Sequence, residues 1–198
     1  MAYQQRAALL IVDVQNDFCP RGALAVREGD QVVPLLNSYA ERFRALGLPV
    51  FSSRDWHPRQ SKHFAEFGGP WPVHCVQETE GARFHPDLGL PAPENILSKG
   101  TDVEDDGYSA FEGRFPDGST LEERLTAQRV DHLFVGGLAT DYCVRESARD
   151  AVKSGRKVTV LLDAIRGVEV QPGDSAQAIA EMAQAGIDMT TLDALDFD

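Results

Sequence analysis

Short apolar runs alternate with segments of helical spacing along the whole chain, and this alternation constrains the fold more than any other feature. The run AALLIVDV (7–14) is continuously apolar, which is typical of a strand buried on both faces of a sheet. Residues 31–46 follow with apolar side chains at helical spacing, and Gly47 ends this helix. A strand, a helix and another strand in this order indicate a parallel sheet.

The same order repeats to the end of the chain. Further strands are predicted at 48–53, 95–99, 131–138, 157–164 and 187–192, and further helices at 119–128, 141–154 and 175–185. Ser119 and Glu122 are predicted to form the capping box of the 119–128 helix. We therefore expect an α/β protein: a single domain over 1–198, built as three α/β/α layers around a mostly parallel, six-stranded, Rossmann-like sheet. Two long segments, 54–94 and 100–118, interrupt the alternation, and segments of such length in a compact domain are usually functional.

The charge and the cysteine content limit which partners and which cellular compartment we expect. The chain has 31 acidic and 19 basic residues, so its formal charge is −12. This sign repels phosphates and anionic lipids, and we expect neither nucleic acid nor a membrane as partner. Three cysteines without a spacing pattern argue against a disulfide framework; with no signal-peptide pattern at the start, they favour the cytoplasm. Whether the chain is a monomer or a homo-oligomer stays open.

Reactive side chains follow the predicted strands at their carboxyl ends. Asp13 ends the first strand, Asp55 and His57 follow the second, Lys99 ends the third, and Cys143 begins the helix after the fourth. The carboxyl ends of parallel strands meet at one edge of the sheet, where ligands bind. We therefore expect an acid, two metal-competent groups, an amine and a thiol to meet in one site.

A histidine cluster in the first long segment indicates a metal centre. His57, His63 and His74 are three of the five histidines of the chain, and Asp55 precedes them. Three imidazoles and one carboxylate suit one divalent transition metal ion, with Zn²⁺ as first choice and Fe²⁺ or Mn²⁺ as alternatives. Taken singly, each histidine is more simply interpreted as an ordinary loop residue, so the prediction of a metal site depends on the clustering of the three at a strand end.

Cys143 is predicted to lie in the first turn of its helix, with Thr140 or Asp141 as the cap. There the helix dipole favours the thiolate, which predicts a lowered thiol pKa, and free N–H groups can bind an oxyanion. A cysteine taken alone is more often an inert buried residue. Its neighbours favour a nucleophile, with Asp13 accepting the thiol proton and Lys99 steadying the charges.

Six motifs occur in order between about residues 8 and 165: LLIVDVQNDF, SRDWHP, PWPVHC, SKG, YSAFEG and GLATDYCV. Together they resemble the nicotinamidase (pyrazinamidase) branch of the isochorismatase-like cysteine hydrolases. The resemblance implies the isochorismatase-like hydrolase fold. It also implies a metal-assisted amidase that converts nicotinamide, and also pyrazinamide, into the acid and ammonia through a thioester, with a role in NAD recycling.

The resemblance further implies roles for individual residues. The matching catalytic triad is Asp13, Lys99 and Cys143, and the matching metal ligands are Asp55, His57 and His74. His63 matches a position at which family members differ, so its ligation stays open. The matching ring pocket is formed by Phe18, Trp71 and Tyr108, and Gln15 supports the site. Leu138–Ala139 matches a cis peptide bond at the oxyanion hole, with the backbone N–H groups of Ala139 and Cys143 as donors.

The implied mechanism holds the ring nitrogen of the substrate at the metal while the Cys143 thiolate attacks the carboxamide carbon. Three alternatives stay open. The first is another amidase of the same family that acts on a different small amide. The second is a metallohydrolase in which metal-bound water attacks and Cys143 is a bystander. The third is a non-catalytic metal- or ligand-binding protein of the same fold.

Overall fold

The computed structural model describes residues 6–195, which form a six-stranded sheet flanked by four α-helices. The strands are β1 (Ala7–Val12), β2 (Val50–Asp55), β3 (Ile96–Lys99), β4 (His132–Leu138), β5 (Lys157–Arg166) and β6 (Asp188–Thr190). The helices are α1 (Val32–Ala45), α2 (Leu121–Ala127), α3 (Arg145–Lys153) and α4 (Asp174–Gln184). No helix in this part of the chain combines the length and the apolar character needed to cross a bilayer.

Every pairing between neighbouring strands is parallel, and the strand order is β3-β2-β1-β4-β5-β6. The apolar run at the start of the chain thus forms a central strand, β1, between β2 and β4. The order changes direction between β1 and β4, and in open sheets of this kind the ligand site lies beyond the carboxyl ends of the strands at that point. The predicted six-stranded α/β fold is confirmed.

Alternate residues of β1 pack into two separate cores, which explains why the strand is apolar throughout. Leu9 and Ile11 belong to the core on the α1 side, together with Phe43. Leu10 and Val12 belong to the opposite core, which includes residues of α2, α3 and α4. Helices on both faces leave only the ends of the sheet accessible, and the site is built at the carboxyl end.

The capping box of α2 lies one residue later than the sequence pattern predicts. The Thr120 side chain accepts a hydrogen bond from the Glu123 backbone at 3.2 Å, and the Glu123 carboxylate accepts one from the Thr120 backbone at 2.8 Å. The predicted pair of Ser119 and Glu122 is therefore wrong. The Ser119 hydroxyl donates instead to Asp117 at 2.6 Å, so it already has a partner in the preceding turn.

The segment after β4 also differs from its prediction. A π-helical turn over Thr140–Val144 precedes α3, which begins only at Arg145. Neither Thr140 nor Asp141 caps a helix. The Asp141 carboxylate accepts hydrogen bonds from the backbone N–H groups of Val168 and Glu169 at 2.9 and 2.8 Å. It thus joins the turn that carries Cys143 to the loop between β5 and α4.

Candidate active site

Four of the five side chains predicted at the strand ends meet in one group in the structure. Asp13 directly follows β1, Asp55 and Lys99 are the last residues of β2 and β3, and Cys143 lies in the turn after β4. Asp13, Asp55 and Cys143 each offer one polar atom, and these three atoms lie within 4.8 Å of one another. All four side chains are buried, so their charges interact with little screening by water.

Lys99 is the centre of this group. Its Nζ lies 2.7 Å from Asp13 Oδ2, hydrogen bonds to Asp55 Oδ1 and to the Gly107 carbonyl at 2.6 Å, and lies 3.4 Å from Cys143 Sγ. Burial works to lower the pKa of Lys99, but the carboxylates outweigh it and hold the pKa well above its usual value. The side chain therefore stays a cation, and a buried cation requires this degree of pairing.

Asp13 has the properties of a general base. Burial raises its pKa to about 6, although Lys99 and a 2.7 Å hydrogen bond from the Ser53 hydroxyl both act to lower it. A carboxylate with this pKa is ionised at neutral pH and still takes up a proton more readily than an ordinary aspartate. Its backbone φ of +48° is uncommon for a residue other than glycine, although aspartate is among those that adopt it most often.

The thiol of Cys143 differs from its prediction. Burial raises its pKa well above the usual value, and Lys99 lowers it by less. The expected lowering at a helix start is therefore wrong, because removal from water and two nearby carboxylates disfavour the thiolate. Cys143 thus holds its proton at rest and needs a base at the moment of attack. Asp13 is the adjacent base.

The histidine cluster fits a metal ion. His57, His63 and His74 are buried, and one ring nitrogen from each lies within 4.8 Å of the others. Both ring nitrogens of His57 are buried without a hydrogen-bond partner. Buried polar atoms are rarely left unpaired, and a metal ion would satisfy such a nitrogen. Imidazole donors of this number suit zinc or a neighbouring transition metal.

Contacts behind the cluster orient the other two imidazoles. Nδ1 of His74 lies 2.8 Å from the Pro72 carbonyl, which favours a proton on Nδ1 and leaves Nε2 free to ligate. Nδ1 of His63 lies 3.4 Å from an Asp106 carboxylate oxygen. Burial lowers the pKa of His63 to about 4 and also lowers the pKa of His74. Both rings are therefore neutral at pH 7, as metal ligands must be.

Asp55 joins the histidine cluster to the reactive group. One of its oxygens pairs with Lys99, while the other lies 3.8 Å from His57 Nε2 and 4.0 Å from His74 Nε2. Burial works to raise the pKa of Asp55, but Lys99 and the two histidines hold it well below its usual range. Gln15 fixes this residue, since its amide accepts from the Asp55 backbone N–H and donates to the Asp55 carbonyl, each at 2.8 Å.

An aromatic cavity opens beside Cys143. The predicted residues Phe18, Trp71, Tyr108 and Ala139 line it, together with Leu24, Asp106, Tyr142 and Val168, which sequence reasoning missed. The Trp71 indole donates to the Tyr108 hydroxyl at 2.9 Å, and the Tyr142 ring meets Trp71 edge to face at 4.7 Å. Tyr142 precedes Cys143 in the GLATDYCV motif, so its position was a usable signal. Leu24 and Val168 lie in loops that carried no signal.

The peptide bond between Leu138 and Ala139 is cis, as the family resemblance implies. Ala139 lines the cavity, but Leu138 does not line it. The Leu138 side chain is fully buried in the core on the α1 side, and a role of Leu138 at the substrate site stays a prediction. Gly137 brings β4 close to β1 just before this bond. With a φ of +124°, it would place a Cβ atom 2.1 Å from the Val12 carbonyl oxygen, so only glycine fits.

Fold and site together define the class of α/β hydrolases that combine a buried cysteine with a metal centre. Residues 7–194 match the family model described as the Isochorismatase domain. The chain belongs to the isochorismatase family, and the resemblance carried by its motifs is confirmed.

Similar proteins cover nearly the whole chain. A nicotinamidase of Escherichia coli K12 is 43% identical, over 93% of this chain and 94% of the relative. The structure of a Pyrococcus horikoshii pyrazinamidase in complex with zinc superposes with a TM-score of 0.86 at 42% identity, over 94% of this chain and 99% of that chain. The L. infantum protein PnC1 in complex with nicotinate gives a TM-score of 0.85 at 32% identity, over 98% and 96%.

Proposed function

We propose that this protein is a nicotinamidase that hydrolyses nicotinamide to nicotinate and ammonia, and that it also accepts pyrazinamide. The observation that carries the proposal is the buried contact of Cys143, Asp13 and Lys99 beside the three-histidine cluster, with Asp55 shared between the two. The names of the similar proteins support this substrate class. A bound nicotinate in one of the neighbours supports a small aromatic ligand.

Asp55, His57 and His74 would hold the divalent metal, with His63 as a further ligand, and zinc is the ion proposed. When bound, the metal supplies a Lewis-acidic coordination position suited to an aromatic ring nitrogen. Phe18, Trp71 and Tyr108 would enclose the ring.

The first half of the reaction forms the thioester. Asp13 accepts the proton of the Cys143 thiol as the sulfur attacks the carboxamide carbon. The carbonyl oxygen becomes an oxyanion, which the backbone N–H groups of Ala139 and Cys143 stabilise. Asp13 then gives its proton to the amide nitrogen, the carbon–nitrogen bond breaks, and ammonia leaves.

The second half regenerates the thiol. Asp13, again ionised, takes a proton from a water molecule as that water attacks the thioester carbon. The carbon–sulfur bond breaks and Asp13 returns its proton to the Cys143 sulfur. The acid formed loses its own proton to solvent and is released as nicotinate. Lys99 stays charged throughout and stabilises both the Asp13 carboxylate and the developing thiolate.

Activity should depend on pH through Asp13. Because its pKa of about 6 must be exceeded before it can accept a proton, we expect kcat/KM to rise with pH and to reach half of its plateau near pH 6. Initial rates between pH 4.5 and 8 at constant ionic strength test this. A rate that is flat, or that falls, across pH 5–7 would contradict the role of Asp13 as the base.

Ammonia release tests the proposed function itself. We expect the zinc-loaded protein to release ammonia and nicotinate in equal amounts from nicotinamide. A chelator should abolish the release and added zinc should restore it, because without the metal the ring nitrogen of the substrate is no longer held in the site. Absence of ammonia from nicotinamide and pyrazinamide, with release from another small amide, would indicate a different amidase of the family. Release that is unaffected by complete metal removal would refute the metal-assisted mechanism.

We also propose a reducing, cytoplasmic setting and a role in NAD recycling. Cys19, Cys75 and Cys143 are all free and buried, which supports the first point. The second follows from the substrate proposed.

A further inference from the structure

The first motif contains an acidic residue with a defined structural environment that none of the steps above uses. Asp17 lies in the short 3-10 turn Asn16–Phe18 that follows β1. One oxygen of its carboxylate accepts a hydrogen bond from the backbone N–H of Cys75 at 2.7 Å, and the other accepts from the backbone N–H of Ala23 at 3.1 Å. Hydrogen bonds to an ionised acceptor are stronger than neutral ones. Asp17 therefore connects the loop after β1 to the loop that contains His74.

The first of these bonds acts on the backbone next to a proposed metal ligand. Cys75 directly follows His74 and has a φ of +45°, a left-handed conformation that cysteine rarely adopts. Its N–H is bound by Asp17, and its carbonyl accepts from the backbone N–H of His57 at 3.0 Å. The unusual backbone of Cys75 is thus held at both its N–H and its carbonyl.

The absence of a side chain at Gly81 leaves room for the Asp17 carboxylate. The Gly81 carbonyl accepts a hydrogen bond from the Asp17 backbone N–H at 3.0 Å. A Cβ atom at Gly81 would lie 2.1 Å from one Asp17 carboxylate oxygen. That is far inside van der Waals contact, so a side chain at position 81 would displace the carboxylate from Cys75. The backbone of Gly81 needs no left-handed φ, so the glycine is required by the position of Asp17.

We propose that Asp17 is a positioning residue that fixes the Cys75 backbone and thereby holds the His74 imidazole in place for the metal. The inference rests on the proposed role of His74 as a ligand. Residues behind the ligands of metal sites typically change metal affinity about 10–100-fold when they are lost. Asp17 does not touch the metal cluster itself, so its effect should appear in metal affinity.

Two variants and a matched control test this. Asp17→Ala removes the carboxylate, whereas Gly81→Ala retains it and displaces it. Asp30→Ala removes an exposed acid whose side chain makes no hydrogen bond within the described residues. The measurements are the Kd for Zn²⁺, by competition with a chromophoric chelator, and the rise in Tm that zinc produces over the metal-free form. We expect Asp17→Ala and Gly81→Ala to raise the Kd about 10–100-fold and to reduce the zinc-induced rise in Tm, with Asp30→Ala unchanged.

The outcomes separate the inference from the proposed function. If Asp17→Ala binds zinc with wild-type affinity and only the Tm of its metal-free form is lower, the role of Asp17 is purely structural. That result would overturn the inference while the proposed function stands. A wild-type protein that binds no zinc would overturn both. If Asp17→Ala does not fold, Gly81→Ala decides: wild-type affinity overturns the inference and weakened affinity supports it.

Discussion

Replacing Cys143 by alanine should lower kcat/KM for nicotinamide by at least about 10³-fold, because the variant loses the nucleophile that forms the thioester. The sulfur lies 3.4 Å from Lys99 Nζ and beside Asp13, and no other cysteine lines the cavity within the described residues. Without the thiol, Asp13 has no sulfur-bound proton to accept in the first half of the reaction. Steady-state ammonia release by the zinc-loaded variant measures the loss.

Cys19→Ala is the matched control for this experiment. Cys19 is also buried, but it does not line the cavity that contains Cys143. We expect this variant to retain turnover close to that of the wild type. Near-wild-type turnover by Cys143→Ala would refute the covalent mechanism and favour attack by metal-bound water.

Replacing Lys99 by methionine should lower the free energy of unfolding at pH 7 by about 3–5 kcal/mol. Methionine fills a similar volume but leaves the Asp13 and Asp55 carboxylates buried without their cation. Protonation of Asp13 relieves part of this cost. Lys99 lowers the pKa of Asp13, so without Lys99 this pKa rises further above about 6, and the loss should become smaller as the pH falls toward 6. Urea unfolding at pH 5 and pH 7 measures both effects.

Lys62→Met provides the comparison with an exposed ion pair. Lys62 pairs with Glu104 at 2.6 Å, but more than half of each side chain is exposed. Exposed pairs contribute at most about 1 kcal/mol. A Lys99→Met variant that loses no more stability than Lys62→Met would contradict the role assigned to Lys99 as the counter-charge of two buried carboxylates.

The fold was predictable from the sequence because burial on both faces leaves a simple pattern. β1 is apolar at every position since Leu9 and Leu10 pack into opposite cores. Parallel strands then bring their carboxyl ends to one edge, which is why Asp13, Lys99 and Cys143 could be placed together without knowledge of any side-chain contact.

Local electrostatics and loop contacts were not predictable in the same way. The thiol of Cys143 was expected to be acidic from its place at a helix start, but the depth of its burial, which raises its pKa, depends on packing that no sequence pattern encodes. Aspartate is a residue type typical of helix caps, but the Asp141 carboxylate instead accepts hydrogen bonds from the backbone of a loop that is distant in the chain. Val168 enters the cavity from that same loop.

The central claim is that nicotinamide is hydrolysed through a thioester on Cys143, and rapid acid quench followed by peptide mass spectrometry tests it most directly. With zinc-loaded protein and excess nicotinamide quenched in the first turnover, we expect a nicotinoyl group on the peptide that contains Cys143 and on no other cysteine peptide. Formation of nicotinate in the same quench with an unmodified Cys143, or with the nicotinoyl group on Cys19 or Cys75, would contradict the mechanism.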